Sequence, residues 1–189
     1  MHLLVQRFLP GHVVRQNLLD SVCSIGEIPL ERWDSSLHYS EDRSIPDKSY
    51  SRIGGFVRGF DFDRKLFRIP PTVLKSIDRA QLLALTSGRQ ALIDAGAMDD
   101  PTFPRERCAV VIGNSQGGDL RLETTYRTEV PRMDQILESV LSEAGVDDKV
   151  AAEIRERFGK TYLDDKPPIT EDTMAGELPN CIAGSATGA

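Results

Sequence analysis

The sharpest chemical pattern in this chain of 189 residues is Gly113-Asn114-Ser115-Gln116-Gly117, a G-x-S-x-G sequence directly after the apolar run 108–112. In a hydrolase, such a turn exposes the serine hydroxyl as nucleophile and surrounds the oxyanion with backbone N–H groups. The chemistry also requires an imidazole base placed after the serine. His2, His12 and His38 all precede Ser115, so a serine hydrolase built on Ser115 lacks its base and a glycine-rich turn is the simpler reading. The same residues make a poor phosphate cradle, because they lack the lysine and spacing of a P-loop and the third glycine of a dinucleotide fingerprint.

The other reactive side chains form no convincing constellation. Cys23, Cys108 and Cys181 are odd in number and far apart, which suggests neither a disulfide framework nor a C-x-x-C metal site but small thiols in a reduced, cytoplasmic protein. Cys181 beside Asn180 could act as a nucleophile, yet no histidine is near it in sequence. Asp61 and Asp63 alternate with Phe60 and Phe62, a pattern that suits a strand edge with one buried face better than a cation site. Asp99-Asp100 and Asp164-Asp165 read as solvated turns. No pair of histidines has helical ligand spacing, so no metal and no cofactor is expected.

The elements that would position any site centre on residues 76–117. Ala80, Leu83, Ala84, Ser87, Ala91 and Ala95 recur at helical spacing, with Ser76 as N-cap and Gly96 as stop. Residues 108–112 are too short for a helix and apolar throughout, which predicts a strand buried on both faces. A helix feeding such a strand is the unit of an α/β layered fold.

On the N-terminal side, Pro10-Gly11 marks a turn, and Val14, Leu18 and Leu19 are compatible with a helix. Residues 25–67 are irregular but rich in aromatics, among them Trp33, Tyr39, Tyr50 and Phe56, which argues for a packed excursion lying on a scaffold or on a second chain. On the C-terminal side, residues 124–127 extend a helix, and Met133, Ile136, Leu137, Val140, Leu141 and Ala144 form an apolar stripe ending at Gly145. Asp147 caps a following helix that carries Val150, Ala151, Ile154 and Phe158 and ends at Gly159. Pro167-Pro168 breaks the chain before a last helix capped within 170–172, carrying Met174, Leu178, Ile182 and Ala183, with Pro179 kinking or delaying it.

Composition excludes several function classes. A formal charge of -6 without a dense basic run argues against nucleic acid as partner. No apolar stretch approaches the roughly 18 residues that cross a bilayer. The opening residues are too short an apolar run for a secretory signal.

Several stretches in combination resemble the β-ketoacyl synthases. Gly26-Glu27-Ile28-Pro29, Arg32-Trp33-Asp34, Arg52-Ile53-Gly54-Gly55-Phe56-Val57, Phe60-Asp61-Phe62-Asp63, Phe67-Arg68-Ile69-Pro70-Pro71 and residues 78–81 occur in that family's order. The likeness continues through Leu82-Leu83-Ala84-Leu85, Ala91-Leu92-Ile93-Asp94-Ala95-Gly96 and the run before Gly113. It extends over roughly residues 17–184 and is similar to the N-terminal half of ketosynthase domains of polyketide synthases. Pro70-Pro71 and residues 171–184 look most like polyunsaturated fatty acid synthase relatives.

The resemblance implies a thiolase-like α/β layered fold, here incomplete, with residues 1–184 as a partial N-terminal domain; the small, polar residues 185–189 read as a frayed tail. It also implies an acyltransferase reaction. A cysteine accepts an acyl group, which condenses with a malonyl unit on acyl carrier protein in polyketide or fatty acid biosynthesis. The family is normally homodimeric, so the implied partners are acyl carrier protein, acyl thioesters and a second copy or the remainder of a ketosynthase. The family's D-x-A-C-S-type cysteine motif and its two later histidines do not occur in this sequence. Cys23, Cys108 and Cys181 sit outside any matching motif, so no catalytic residue is assigned and the chain is expected to be inactive alone. A non-catalytic module pairing with a ketosynthase partner is the alternative from a different class.

Overall fold

Helix formation is clearest where sequence supplies both ends. The computed structural model describes residues 11–57, 59–114, 118–178 and 181–187 and divides the chain into two compact units, Met1–Asp61 and Phe62–Ala189.

The first unit contains α1 (Gly11–Leu19), β1 (Ile25–Glu27), α2 (Ser35–His38) and β2 (Ile53–Gly55). The strands pair antiparallel, with Gly26 opposite Gly54 and Ile28 N–H extending the ladder to the Arg52 carbonyl at 2.9 Å. Sequence periodicity could not show this pairing, because the partners are non-local and two of three residues in β2 are glycine. Between the strands, Asp34 caps α2 by accepting from Ser36 N–H at 2.9 Å, and Lys48 Nζ donates to the Leu37 carbonyl. The aromatics carry contacts of their own. Trp33 stacks on His38 at 5.6 Å, Arg43 lies over Tyr50 and Arg52 over Tyr39. Among its described residues none is buried, so polar and cation–π contacts rather than a core hold this unit.

The second unit is helical: α3 (Pro71–Leu74), α4 (Arg79–Asp94), α5 (Asp119–Glu143), α6 (Asp148–Leu163), α7 (Thr173–Glu177) and α8 (Cys181–Thr187). The predicted stop at Gly96 is observed. Gly96 has φ +68°, its N–H bonds the Ile93 carbonyl at 2.9 Å, and Ala97 N–H bonds the Leu92 carbonyl at 2.8 Å, the paired bonds of a Schellman motif. Gly145 ends α5 in the same way, with φ +69°, its N–H on the Ser142 carbonyl and Val146 N–H on the Leu141 carbonyl, both at 3.0 Å.

Four expectations need correction. The N-cap of α4 is Asp78 and not Ser76, because Asp78 is where the chain turns extended and its carboxylate reaches Ala80 N–H at 2.7 Å. Helix α6 does not end at Gly159 but continues to Leu163, since no αL turn forms at that glycine. The single last helix is two, separated by an extended Leu178 (ψ 123°), the conformation that a residue preceding proline prefers. Phe60 and Phe62 lie in no strand, and Phe62 instead stacks on Phe67 at 5.0 Å.

The largest correction concerns residues 108–112. They form no strand, and Val111 is 91% exposed. Apolar sequence favours a buried strand only when a neighbouring strand accepts its backbone groups, and the ladder among the described residues is β1 with β2.

Helices α5 and α6 form an antiparallel hairpin across Gly145. Arg155 of α6 bonds Asp134 through Nε at 2.8 Å and Nη2 at 2.5 Å, and Glu138 through Nη1 at 2.7 Å, which clamps the two helices. This contact holds the Asp134 carboxyl below the usual aspartate range, first through the hydrogen bond from Arg155. Pro131 lies inside α5, where it removes one donor from the helical ladder.

Candidate functional site

The buried centre of the helical unit is polar. Its apolar core is small, Leu85, Ala97, Leu120 and Ile182, while Ser76, Asp78, Gln81, Thr124 and Thr173 are equally buried. Asp78 organises this hub. One carboxylate oxygen caps α4 at Ala80 N–H, and the other accepts from Leu120 N–H at 3.0 Å, at the start of α5. A single carboxylate therefore satisfies donors at two helix N-termini, where partial positive charge also favours an anion.

The geometry explains a glycine. Gly118 is the N-cap of α5 and offers no side chain, and a Cβ on it would lie 2.0 Å from Asp78 Oδ1. The carboxylate of a distant residue occupies the place where a local capping side chain would sit.

Residues 170–178 close the hub from the other side. Asp78 N–H donates to the Gly176 carbonyl at 3.0 Å, and Gln81 Nε2 donates to the Ala175 and Gly176 carbonyls at 2.9 and 2.8 Å. Thr124 Oγ1 donates to Glu177 Oε2 at 2.8 Å, and the Ser76 and Thr170 hydroxyls meet at 3.3 Å. A Cβ on Gly176 would fall 1.4 Å from the Ser76 carbonyl oxygen, so the chain passes this point only as glycine. Near the hub, Glu123 has its carboxyl pushed above the ordinary glutamate range, first by burial and then by the charges of Asp119 and Asp165. Arg127 Nη1 is the buried side-chain nitrogen without a partner among the described residues.

The second feature of this unit is a groove of about 1020 Å³ beside α4. Its floor includes Leu85, Leu92, Met98, Phe103 and Val110, and Arg68, Arg89, Arg105 and Cys108 line it as well. Arg105 is fixed by the Ala97, Met98 and Asp100 carbonyls at 3.0, 2.8 and 3.0 Å. These arginines are scattered in sequence, which is why a search for dense basic runs does not find them.

The sequence candidates are not brought together. Ser115 and His2 lie outside the described residues, and His38 stacks on Trp33. Cys108 is exposed and donates weakly to the Pro104 carbonyl at 3.5 Å, Cys23 is exposed, and Cys181 opens α8 half-buried. Asp63 accepts from Lys65 and Leu66 N–H at 3.0 and 3.2 Å, and Asp100 from Thr102 at 2.8 Å, both as turn formers. The Asp100 carboxyl is held low by the Thr102 hydroxyl and N–H. Among the described residues no cluster of His, Cys, Asp and Glu could hold a metal ion, and no helix is long and apolar enough to cross a membrane.

What the hub does is orient helices, and its residues recur in the family resemblance, which names 78–81 and 171–184. The family model for the beta-ketoacyl synthase N-terminal domain matches residues 11–161. The chain belongs to the β-ketoacyl synthase family. Asp78, Gln81, Gly118 and Thr124 of the hub fall inside that match, and Thr170, Gly176 and Glu177 beyond it.

Ketosynthase relatives come from large synthases. Polyketide synthase PksL of Bacillus subtilis is 42% identical over 82 residues, 43% of this chain and 2% of that protein. PKS-NRPS hybrid synthetase acdB of Aspergillus candidus is 41% identical over 71 residues, 37% of this chain and 3% of that protein. A polyunsaturated fatty acid synthase polypeptide of a Thraustochytrium species is 26% identical over 157 residues, 82% of this chain and 6% of that protein. The chain thus spans a few per cent of the length of these relatives, and its likeness is to the N-terminal part of a ketosynthase domain.

Proposed function

We propose that residues 1–184 are part of a ketosynthase domain of thiolase-like layered fold and that this chain supplies scaffold rather than catalytic groups. The observation that carries this reading is the hub, in which Asp78 and Gln81 of the family-like stretch join three helices through buried hydrogen bonds. The complete domain would transfer an acyl group to a cysteine thiolate, releasing the carrier thiol, and condense it with malonyl-acyl carrier protein as carbon dioxide leaves. In the cytoplasm its partners would be acyl carrier protein, acyl thioesters and either a second copy or the remainder of a ketosynthase.

By this reading the purified chain, given acyl and malonyl thioesters of acyl carrier protein, forms no 3-oxoacyl product above the protein-free blank by mass spectrometry. Product formation that Cys181→Ala abolishes would overturn it.

A second reading, a non-catalytic module that pairs with a ketosynthase partner, is supported by the helical hairpin. Ile136 and Val140 of α5 and Val150, Ile154 and Phe158 of α6 are exposed, apolar side chains that a partner would cover. A monodisperse monomer in light scattering that binds no hydrophobic dye would count against this pairing.

A further inference from the structure

The groove beside α4 has an unusual inventory. Among the residues lining it, no side chain carries a carboxylate, an amide or a hydroxyl, and its charges are those of Arg68, Arg89 and Arg105. A lining whose charged side chains are all arginines stands out on a chain of net charge -6. Arg105 spends its donors on three carbonyls, which fix its position, and its charge helps to hold the neighbouring Asp100 carboxyl low. Among the described residues neither Arg68 nor Arg89 has an ion pair.

Such a lining selects by exclusion. A sugar or nucleotide needs several neutral donors and acceptors, and the side chains here offer none; a cation meets only positive charge. What fits is one compact anionic group on a long apolar body, since guanidinium pairs well with carboxylate and the aliphatic and aromatic floor takes the tail. A volume of about 1020 Å³ is ample for a single chain of this kind. We infer that the groove binds a single-chain fatty carboxylate, its head on Arg68 and Arg89 and its tail along Leu85, Leu92 and Val110. The inference rests on this lining and not on the ketosynthase reading.

The test uses the full chain and dodecanoate below its micelle-forming concentration, followed by titration calorimetry. Dodecanoate binds at one saturable site, and dodecan-1-ol and dodecylammonium bind roughly ten-fold more weakly or worse, as loss of one charge-assisted hydrogen bond dictates. Arg68→Gln and Arg89→Gln each weaken dodecanoate several-fold and leave the alcohol unchanged, and Arg89→Lys restores part of the loss. Gly88 lines the groove, and a Cβ added there would meet nothing within 4 Å, so Gly88→Phe fills the groove without a backbone clash and abolishes binding. Bound dodecanoate slows maleimide labelling of Cys108 but not of the exposed Cys23. Equal affinity for the three amphiphiles, undiminished binding by Gly88→Phe, or equal protection of both cysteines would overturn the inference.

Discussion

Two stretches of the helical unit, the Asp78 hub and residues 108–112, invert the simplest expectation about burial. Asp78 and Gln81 are ionic and polar, yet 4% and 3% exposed; Val111 is aliphatic and 91% exposed. The difference is partnership. Both Asp78 carboxylate oxygens and the Gln81 amide nitrogen have counterparts at 2.7–3.0 Å, so their desolvation is offset. The apolar run has no neighbouring strand among the described residues to accept its backbone, and side-chain hydrophobicity alone does not bury it.

The most severe way to break the hub is Gly176→Ala. Its Cβ would stand 1.4 Å from the Ser76 carbonyl oxygen, a backbone atom that cannot swing away. The expected cost is on the order of 4 kcal/mol or more, enough to leave no cooperative transition in urea. Next is Asp78→Ala, which uncaps α4 and strands Leu120 N–H in a buried site. Two lost caps predict a loss of about 2–4 kcal/mol by denaturant titration, and Asp78→Asn, which keeps an acceptor, should cost less.

A smaller effect tests the electrostatics beside the hub. Because burial and acidic neighbours raise the Glu123 pKa, the folded state holds its proton more tightly than the unfolded chain. Ionisation therefore lowers stability as pH rises from the ordinary glutamate value through the folded one. Glu123→Gln should stabilise at neutral pH by less than about 1 kcal/mol, the side chain being only half-buried. In thermal melts, the gain should vanish below pH 4.5. Smallest of all, Val111→Thr should change stability by no more than about 0.5 kcal/mol. A larger loss would show that the run is buried in solution and that the contrast with the hub is false.

How far the sequence reaches is visible in particular residues. Gly96 and Gly145 announce their Schellman turns, and Asp147 caps α6 by accepting from Lys149 and Val150 N–H at 3.0 and 3.3 Å, because these signals act within one or two turns of chain. The family was legible too, since its motifs are linear strings. The β1–β2 pairing, the shared capping by Asp78 and the cluster of Arg68, Arg89 and Arg105 were not, because their members are brought together only by folding.

Sequence by itself determined the glycine stops of α4 and α5, the Asp147 cap of α6 and which family the chain joins, since these are written in local order. Tertiary structure alone decided what is buried. Nothing local marks Gly118 or Gly176, yet a carboxylate and a carbonyl stand where their side chains would be. Residues 108–112 look like core until no strand is found beside them. Burial is a property of neighbours, and neighbours 40 to 100 residues away leave no periodicity to read, as the contacts of Asp78 with Leu120 and Gln81 with Gly176 illustrate.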